Sequence, residues 1–120
     1  MCWPFVRMKM NPLVERDGKP EKKIQNALIT YLQYKGWFVM VTHGNMYQRG
    51  FPDLWATHKF YGARWIEVKN PKKYAFTPAQ IEVFPKICAN GSGIWVLVAA
   101  NGTEYEKLFK AFNWFQYLHM

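Results

Sequence analysis

Two acidic residues and a lysine have the types and the spacing that could bind a metal ion and stabilise negative charge. Glu67-Val68-Lys69 ends a strand-like run. Because side chains alternate across a strand, Glu67 and Lys69 share one face. Asp53 precedes the strand that is predicted to pair with this run. If Leu54 pairs with Glu67, Asp53 falls opposite Val68 and beside Glu67, so that both carboxylates converge at one end of a hairpin.

Two neighbouring carboxylates, with a main-chain carbonyl nearby, offer the oxygen ligands that Mg²⁺ prefers. They repel each other unless a cation lies between them, so a purely structural role gains little from the pair. The Lys69 ammonium beside them could position an attacking water and stabilise charge growing on a phosphate. The alternative is that Glu67 and Lys69 are the solvated face of a half-buried strand.

The loop before Asp53 carries two residues that shape the backbone. Gly50 lets the chain turn sharply, and Pro52 restricts the backbone one residue before the acid. This pattern predicts a carboxylate held in place before any ligand binds. An ordinary Gly-x-Pro-Asp turn between two strands is the alternative.

Local patterns predict the elements that must position these residues. Pro20, with Glu21 beside it, suits the first turn of a helix that runs to about Lys35 and ends at Gly36. Thr77 can cap a second helix, which Pro85 should kink or shorten. Residues 103–118 are predicted to form a C-terminal helix with a capping box of Thr103 and Glu106. The predicted strands are residues 37–42, 54–57, 64–69 and 94–99.

The predicted order is α-β-β-β-α-β-α. A hairpin followed by a helical crossover to a fourth strand indicates an α/β fold with a mixed sheet of about four strands, flanked by helices. Residues 1–120 are expected to form one domain with an irregular arm at 1–18.

Composition narrows the function classes. Half of the 120 residues are apolar, which argues against disorder, and the net charge of +8 suggests a polyanionic partner such as nucleic acid. Two cysteines are too few for a disulfide scaffold. No stretch approaches the ~20 apolar residues of a membrane-spanning helix. The opening residues lack the apolar run of a signal peptide, so we expect a cytoplasmic protein that does not bind membranes.

Four motifs in order resemble a known family: Glu21 on the first helix, Gly50-Phe51-Pro52-Asp53, Glu67-Val68-Lys69, and Gln80 on the second helix. Together they resemble the virus-type replication-repair nuclease (VRR-NUC) domain. That family belongs to the Holliday-junction-resolvase-like branch of the PD-(D/E)XK nuclease superfamily. The resemblance covers about residues 20–99 and implies a restriction-endonuclease-like core.

Carried over by position, the resemblance implies that Asp53, Glu67 and the Val68 carbonyl bind Mg²⁺ or Mn²⁺. Glu21 would act on a metal directly or through water, and Lys69 would be the catalytic lysine. The implied reaction is in-line hydrolysis of DNA by a metal-activated water, leaving a 5′-phosphate and a 3′-hydroxyl. Related stand-alone enzymes imply a homodimer acting on branched DNA or Holliday junctions in replication, recombination or repair.

The resemblance also gives Gln80 a place at the site, held from the second helix. Glu21 and Gln80 have simpler alternatives, as a helix-dipole carboxylate and as the partner of Thr77 in a capping box. A set of basic or loop residues flanks the site and could contact DNA, although each taken singly fits a solvated surface residue. These residues are Lys22, Lys23, His43, Arg49, Lys72 and Lys73.

Two other functions fit parts of the pattern. A nucleic-acid-binding module without turnover would share the basic charge but would not need Asp53, Glu67 and Lys69 together. A sequence-specific restriction-type nuclease would use the same chemistry, but no separate recognition domain is evident. The last helix carries more apolar residues than one core face requires, which suggests a subunit interface.

Overall fold

Four strands form one mixed sheet: β1 (Phe38–Val41), β2 (Leu54–His58), β3 (Gly62–Val68) and β4 (Ile94–Leu97). The strand order is β1-β2-β3-β4, in which β1, β2 and β3 are antiparallel and β4 is parallel to β3. The structure is a computed structural model that describes residues 20–42, 49–72 and 75–117. It confirms the predicted α/β fold with a mixed four-stranded sheet.

Three helices accompany the sheet: α1 (Pro20–Tyr34), α2 (Pro78–Ala89) and α3 (Gly102–Glu106). α1 ends as predicted before Gly36, whose φ of +92° suits a residue without a Cβ. α2 continues past Pro85, so this proline does not shorten the helix. Within the described ranges, no helix is long and apolar enough to cross a membrane.

Each face of the sheet has its own buried cluster. On one face, Leu28 and Leu32 of α1 pack with strand residues such as Ile66 and Val68. On the other face, Phe84 of α2 packs with residues of β4 and with Trp114. All four residues of β4 are buried, as its continuous apolar run predicted.

The predicted register of the β2–β3 hairpin was wrong by one residue. Leu54 pairs with Ile66, not with Glu67, and the expected pairing of Asp53 with Val68 is displaced accordingly. Residues directly opposite each other in an antiparallel pair share a face. Leu54 belongs to the α1-side core, so its partner must be Ile66 from the same core. The true register brings Asp53 opposite Glu67, which unites the two acids more directly than predicted.

The single C-terminal helix predicted for residues 103–118 does not form. α3 ends at Glu106, and two 3₁₀ turns follow at Lys107–Phe109 and Trp114–Tyr117. Asn101 caps α3 by accepting a hydrogen bond from the Glu104 N–H, so the expected Thr103–Glu106 capping box is not used.

The physical reason is that this segment serves both faces of the sheet. Leu108 enters the α1-side core, and Trp114 enters the α2-side core. Between them, Asn113 lies along the edge strand β4, where its Oδ1 accepts from the Val96 N–H at 2.7 Å. One straight helix could not reach both cores and also satisfy this edge. The irregular arm predicted at residues 1–18 lies outside the described residues. So does Leu118, the last residue of the predicted C-terminal helix.

Candidate functional site

Asp53 and Glu67 lie side by side where the β2–β3 hairpin opens. The main-chain N–H of Asp53 donates to Oε1 of Glu67 at 3.2 Å. The N–H of Val68 donates to Oδ2 of Asp53 at 2.8 Å. Glu67 is only 2% exposed, and Asp53 is half-buried. The structure therefore brings the two acids together on one face of the sheet.

Lys69 completes this cluster from the end of β3. Its Nζ lies 2.9 Å from Oε2 of Glu67, and it donates to the Ala75 carbonyl at 2.9 Å and to Oε1 of Gln80 at 3.2 Å. Lys69 is only 6% exposed. The alternative of a solvated strand face is therefore wrong, because both the acid and the ammonium are buried and paired.

Gln80 makes the contacts expected from both of the alternatives that the sequence left open. It forms the capping box of α2 with Thr77, since each residue's main-chain N–H donates to the other's side-chain oxygen at 3.1 Å. Its Nε2 also donates to Oε2 of Glu67 at 2.8 Å, while its Oε1 accepts from Lys69. The start of α2 is thus tied directly to the acidic pair.

Glu21 reaches the site from the first turn of α1. Its Oε2 accepts a hydrogen bond from the Asn70 N–H at 3.0 Å, just beyond the end of β3. Its negative charge contributes to raising the pKa of Asp53. Glu21 therefore does more than interact with the dipole of its own helix, since its charge acts on Asp53.

Burial, and repulsion by a neighbouring carboxylate, disfavour the ionised forms of both acids. Burial is the main cause that raises the pKa of Glu67 to about 7, and the charge of Asp53 adds to it. Burial also raises the pKa of Asp53, although the hydrogen bond from Val68 and the charge of Lys69 oppose the shift. When both are ionised, Asp53 and Glu67 carry two negative charges, and the single positive charge of Lys69 offsets only one of them. The site therefore favours the uptake of a proton or a cation.

The donor atoms fit a hard divalent cation. Asp53 and Glu67 supply carboxylate oxygens, and Val68 supplies a main-chain carbonyl between Glu67 and Lys69. Within the described residues, no three His, Cys, Asp or Glu side chains are close enough to form a metal site by themselves. A cation here would need the carbonyl and water in addition to the acids. Mg²⁺ commonly binds in this way, through one or two carboxylates and several waters.

Thr42 is a site residue that the sequence did not reveal. Its Oγ1 lies 2.6 Å from the Pro52 carbonyl and 3.0 Å from the Asp53 carbonyl, so it holds the loop from the end of β1. On the other side, Gly50 has a φ of +85°, and a Cβ there would lie 2.6 Å from the Ala79 carbonyl. When the β1–β2 pairing is extended by one residue, Thr42 falls opposite Asp53. That pairing is the signal that would have identified Thr42.

The flanking basic residues have different positions relative to the site. Lys22 and Lys23 are exposed on α1 next to Glu21, and the charge of Lys22 lowers the pKa of Asp53. Arg49 and Lys72 are exposed in the segments that precede and follow the acidic pair. His43 and Lys73 lie outside the described residues.

Comparison with known proteins gives no relative from which to transfer a function. The chain matches no family model, no curated protein and no solved structure. The residues of the site and their geometry must therefore carry the functional conclusion.

Proposed function

We propose that this chain is a divalent-metal-dependent endonuclease that hydrolyses DNA phosphodiester bonds. The observation that carries this proposal is the buried Asp53–Glu67 pair with the Lys69 ammonium and the Gln80 amide bound to it. Resemblance to the VRR-NUC domain, and through it to the restriction-endonuclease-like core of the PD-(D/E)XK nucleases, supports the same chemistry.

In this mechanism Asp53, Glu67 and the Val68 carbonyl would hold Mg²⁺ or Mn²⁺, and Glu21 would act on a metal directly or through water. When bound, such an ion would supply Lewis-acid chemistry and would lower the pKa of a water. Glu67, Gln80 and the Ala75 carbonyl restrain Lys69, so its charge is already in place when negative charge grows on the phosphate. The products would be a 5′-phosphate and a 3′-hydroxyl.

The charge of the chain supports a nucleic-acid substrate. With 16 basic and eight acidic residues, it should attract a polyanion strongly. Exposed Lys22, Lys23, Arg49 and Lys72 would neutralise phosphates on both sides of the acids, and His43 and Lys73 are proposed to join them. Binding should therefore weaken steeply with added salt.

We further propose that the substrate is branched or junction DNA and that the enzyme is a homodimer. Its setting would be cytoplasmic, in replication, recombination or repair. The C-terminal segment retains exposed aromatic residues, with Phe109 at 47% and Phe115 at 46% exposure. Such residues suit a subunit interface. Light scattering over a concentration series should show a dimer, and monomer throughout the micromolar range would contradict it.

The decisive test is a cleavage assay on junction, flap and linear DNA with Mn²⁺, Mg²⁺ or EDTA. Asp53→Asn, Glu67→Gln and Lys69→Met should each lower the rate by about 10²- to 10³-fold or more. Glu82→Gln and Lys86→Met are matched controls, because they remove the exposed ion pair of α2 and should leave the rate unchanged.

Metal binding, followed by calorimetry with Mn²⁺, separates the roles. Lys69→Met should still bind the ion, whereas Asp53→Asn should not. Cleavage that persists in EDTA would overturn the mechanism. DNA binding without cleavage under any metal condition would instead support the non-catalytic nucleic-acid-binding module.

A further inference from the structure

Two tryptophans lie next to the acidic pair on the same face of the sheet. Trp55 and Trp65 are direct partners in the β2–β3 ladder. Each stands two residues along its strand from an acid, Trp55 from Asp53 and Trp65 from Glu67. Because alternate residues share a face, the indole pair and the carboxylate pair lie side by side, roughly 7 Å apart along the strands.

The two indoles line an open cavity of about 450 Å³. Both are only half-buried, so part of each ring system faces this space. Phe51, which is 37% exposed, packs edge-on against Trp65 with ring centroids 5.7 Å apart. Asp53 and Glu67 do not line the cavity, and the lining residues nearest to them along the strands are Trp55 and Trp65. Its lining consists of Trp55, Ala63, Arg64, Trp65, Gly91, Ser92, Gly93, Trp95 and Phe112.

The charge of the lining indicates the kind of partner. Arg64 is the one charged residue that lines the cavity, and no carboxylate does. Its guanidinium lies 4.8 Å from the Trp95 ring centroid and donates to the main-chain carbonyls of Leu108, Tyr61 and Ala63. It forms no ion pair with any residue in the described ranges, so no carboxylate neutralises its charge. A partner that joins a planar ring to anionic groups, as a nucleotide strand does, therefore matches the lining better than a neutral apolar one.

We infer that this cavity is a subsite for an unpaired nucleobase of the DNA strand that is cut. The inference rests on the proposed function, since the phosphate next to that base would lie at Asp53 and Glu67. Base stacking on an aromatic side chain is favourable for every base and does not depend on sequence. One nucleotide of an extended strand spans the separation between the two sites.

The subsite would select a class of substrate. A base inside a duplex is already stacked and paired, so it must leave the helix before it can contact Trp55 or Trp65. A single strand, a flap or a branch point presents such a base without that cost. The cavity therefore provides a physical basis for preferring unpaired or branched DNA over linear duplex.

Binding in EDTA tests the subsite without cleavage. Fluorescence anisotropy would compare a labelled single-stranded oligothymidine with an abasic oligomer of the same length and charge. The unsubstituted protein should bind the base-containing oligomer about 5- to 100-fold more tightly. Equal affinity for the two oligomers would overturn the inference, and this comparison requires no variant.

Substitutions then locate the effect. Trp55→Ala should remove most of the preference for the base-containing oligomer, and Trp55→Phe should retain part of it because a ring remains. Tyr34→Ala is the matched control, since Tyr34 is 84% exposed on α1 and does not line the cavity. Circular dichroism checks that each variant is folded. If a folded Trp55→Ala variant keeps the full preference for the base-containing oligomer, this cavity is not the subsite.

The outcomes separate this inference from the nuclease proposal. Base-dependent binding without cleavage in Mn²⁺ would support the subsite and contradict the nuclease. Cleavage together with equal binding of the base-containing and abasic oligomers would support the nuclease and contradict the subsite. If Trp55→Ala converts a dimer into a monomer without changing oligomer affinity, a second copy of the chain occupies this face, and the inference is overturned.

Discussion

The Nζ of Lys69 lies 2.9 Å from Oε2 of Glu67, and both side chains are almost completely excluded from solvent. A buried ion pair must offset the loss of hydration of both charges, so it contributes little to stability compared with apolar residues of similar volume. Each of these side chains is also hydrogen-bonded to Gln80. An arrangement of this kind therefore suits the proposed chemistry better than a role in stabilising the fold.

Removal of Lys69 should destabilise the metal-free protein. At a pH above about 7, where Glu67 is ionised, Lys69→Met leaves this carboxylate buried without its cation. Breaking a buried pair in this way costs about 3–5 kcal/mol. Urea unfolding in EDTA measures the change. The double variant Glu67→Gln/Lys69→Met should be more stable than Lys69→Met alone because no unpaired charge is left. An unchanged unfolding midpoint for Lys69→Met would contradict the pairing.

The stability of the metal-free protein should fall as the pH rises. The pKa of Glu67 is raised from 4.5 to about 7 in the folded protein, so the folded state holds a proton that the unfolded state releases. This stabilising contribution is complete below pH 4.5 and is lost as the pH rises through about 7. Unfolding free energies measured in EDTA across this window should decline less steeply in Glu67→Gln.

Exposed Glu82 supplies the control for this pH dependence. Glu82→Gln should retain the full slope, because its side chain is 72% exposed. Saturating Mn²⁺ should weaken or reverse the slope, since a cation favours the ionised carboxylates. Identical slopes for the unsubstituted protein and Glu67→Gln would show that Glu67 is not the titrating group.

The two roles of Gln80 can be separated by substitution. Thr77→Ala removes only the cap of α2 and should cost about 1 kcal/mol of stability while cleavage persists. Gln80→Leu also removes the bonds to Glu67 and Lys69, so it should lower both stability, by about 1–3 kcal/mol, and the cleavage rate. Equal cleavage by the two variants would mean that Gln80 acts only as a cap.

Gly50 should be much less tolerant of a side chain than Gly91. Both have positive φ, at +85° and +99°, so alanine at either position carries a backbone strain of about 1 kcal/mol or more. At Gly50 a Cβ would also meet the Ala79 carbonyl at 2.6 Å, whereas at Gly91 it would meet nothing within 4 Å. Gly50→Ala should therefore lose more stability in urea unfolding, and it should also slow cleavage by displacing Asp53. Equal losses of stability in Gly50→Ala and Gly91→Ala would mean that the loop at Gly50 does not pack against α2.

Several elements could be predicted because their signals are local. Pro20 and Gly36 bracket α1, and Thr77 with Pro78 begins α2, since caps and helix ends depend on neighbouring residues. The alternation along β3 placed Glu67 and Lys69 on one face for the same reason. The C-terminal segment was the main failure, because its apolar residues are divided between two cores on opposite faces of the sheet.

The sequence by itself determined which residues carry the charges, donors and acceptors, because that chemistry belongs to the side chains, and it determined the elements whose ends are set by near neighbours. Tertiary structure decided how those groups meet. Packing of Leu54 against the α1-side core set the hairpin register that joins Asp53 to Glu67. Burial and repulsion by Asp53, which depend on residues far apart in the chain, then shifted the pKa of Glu67.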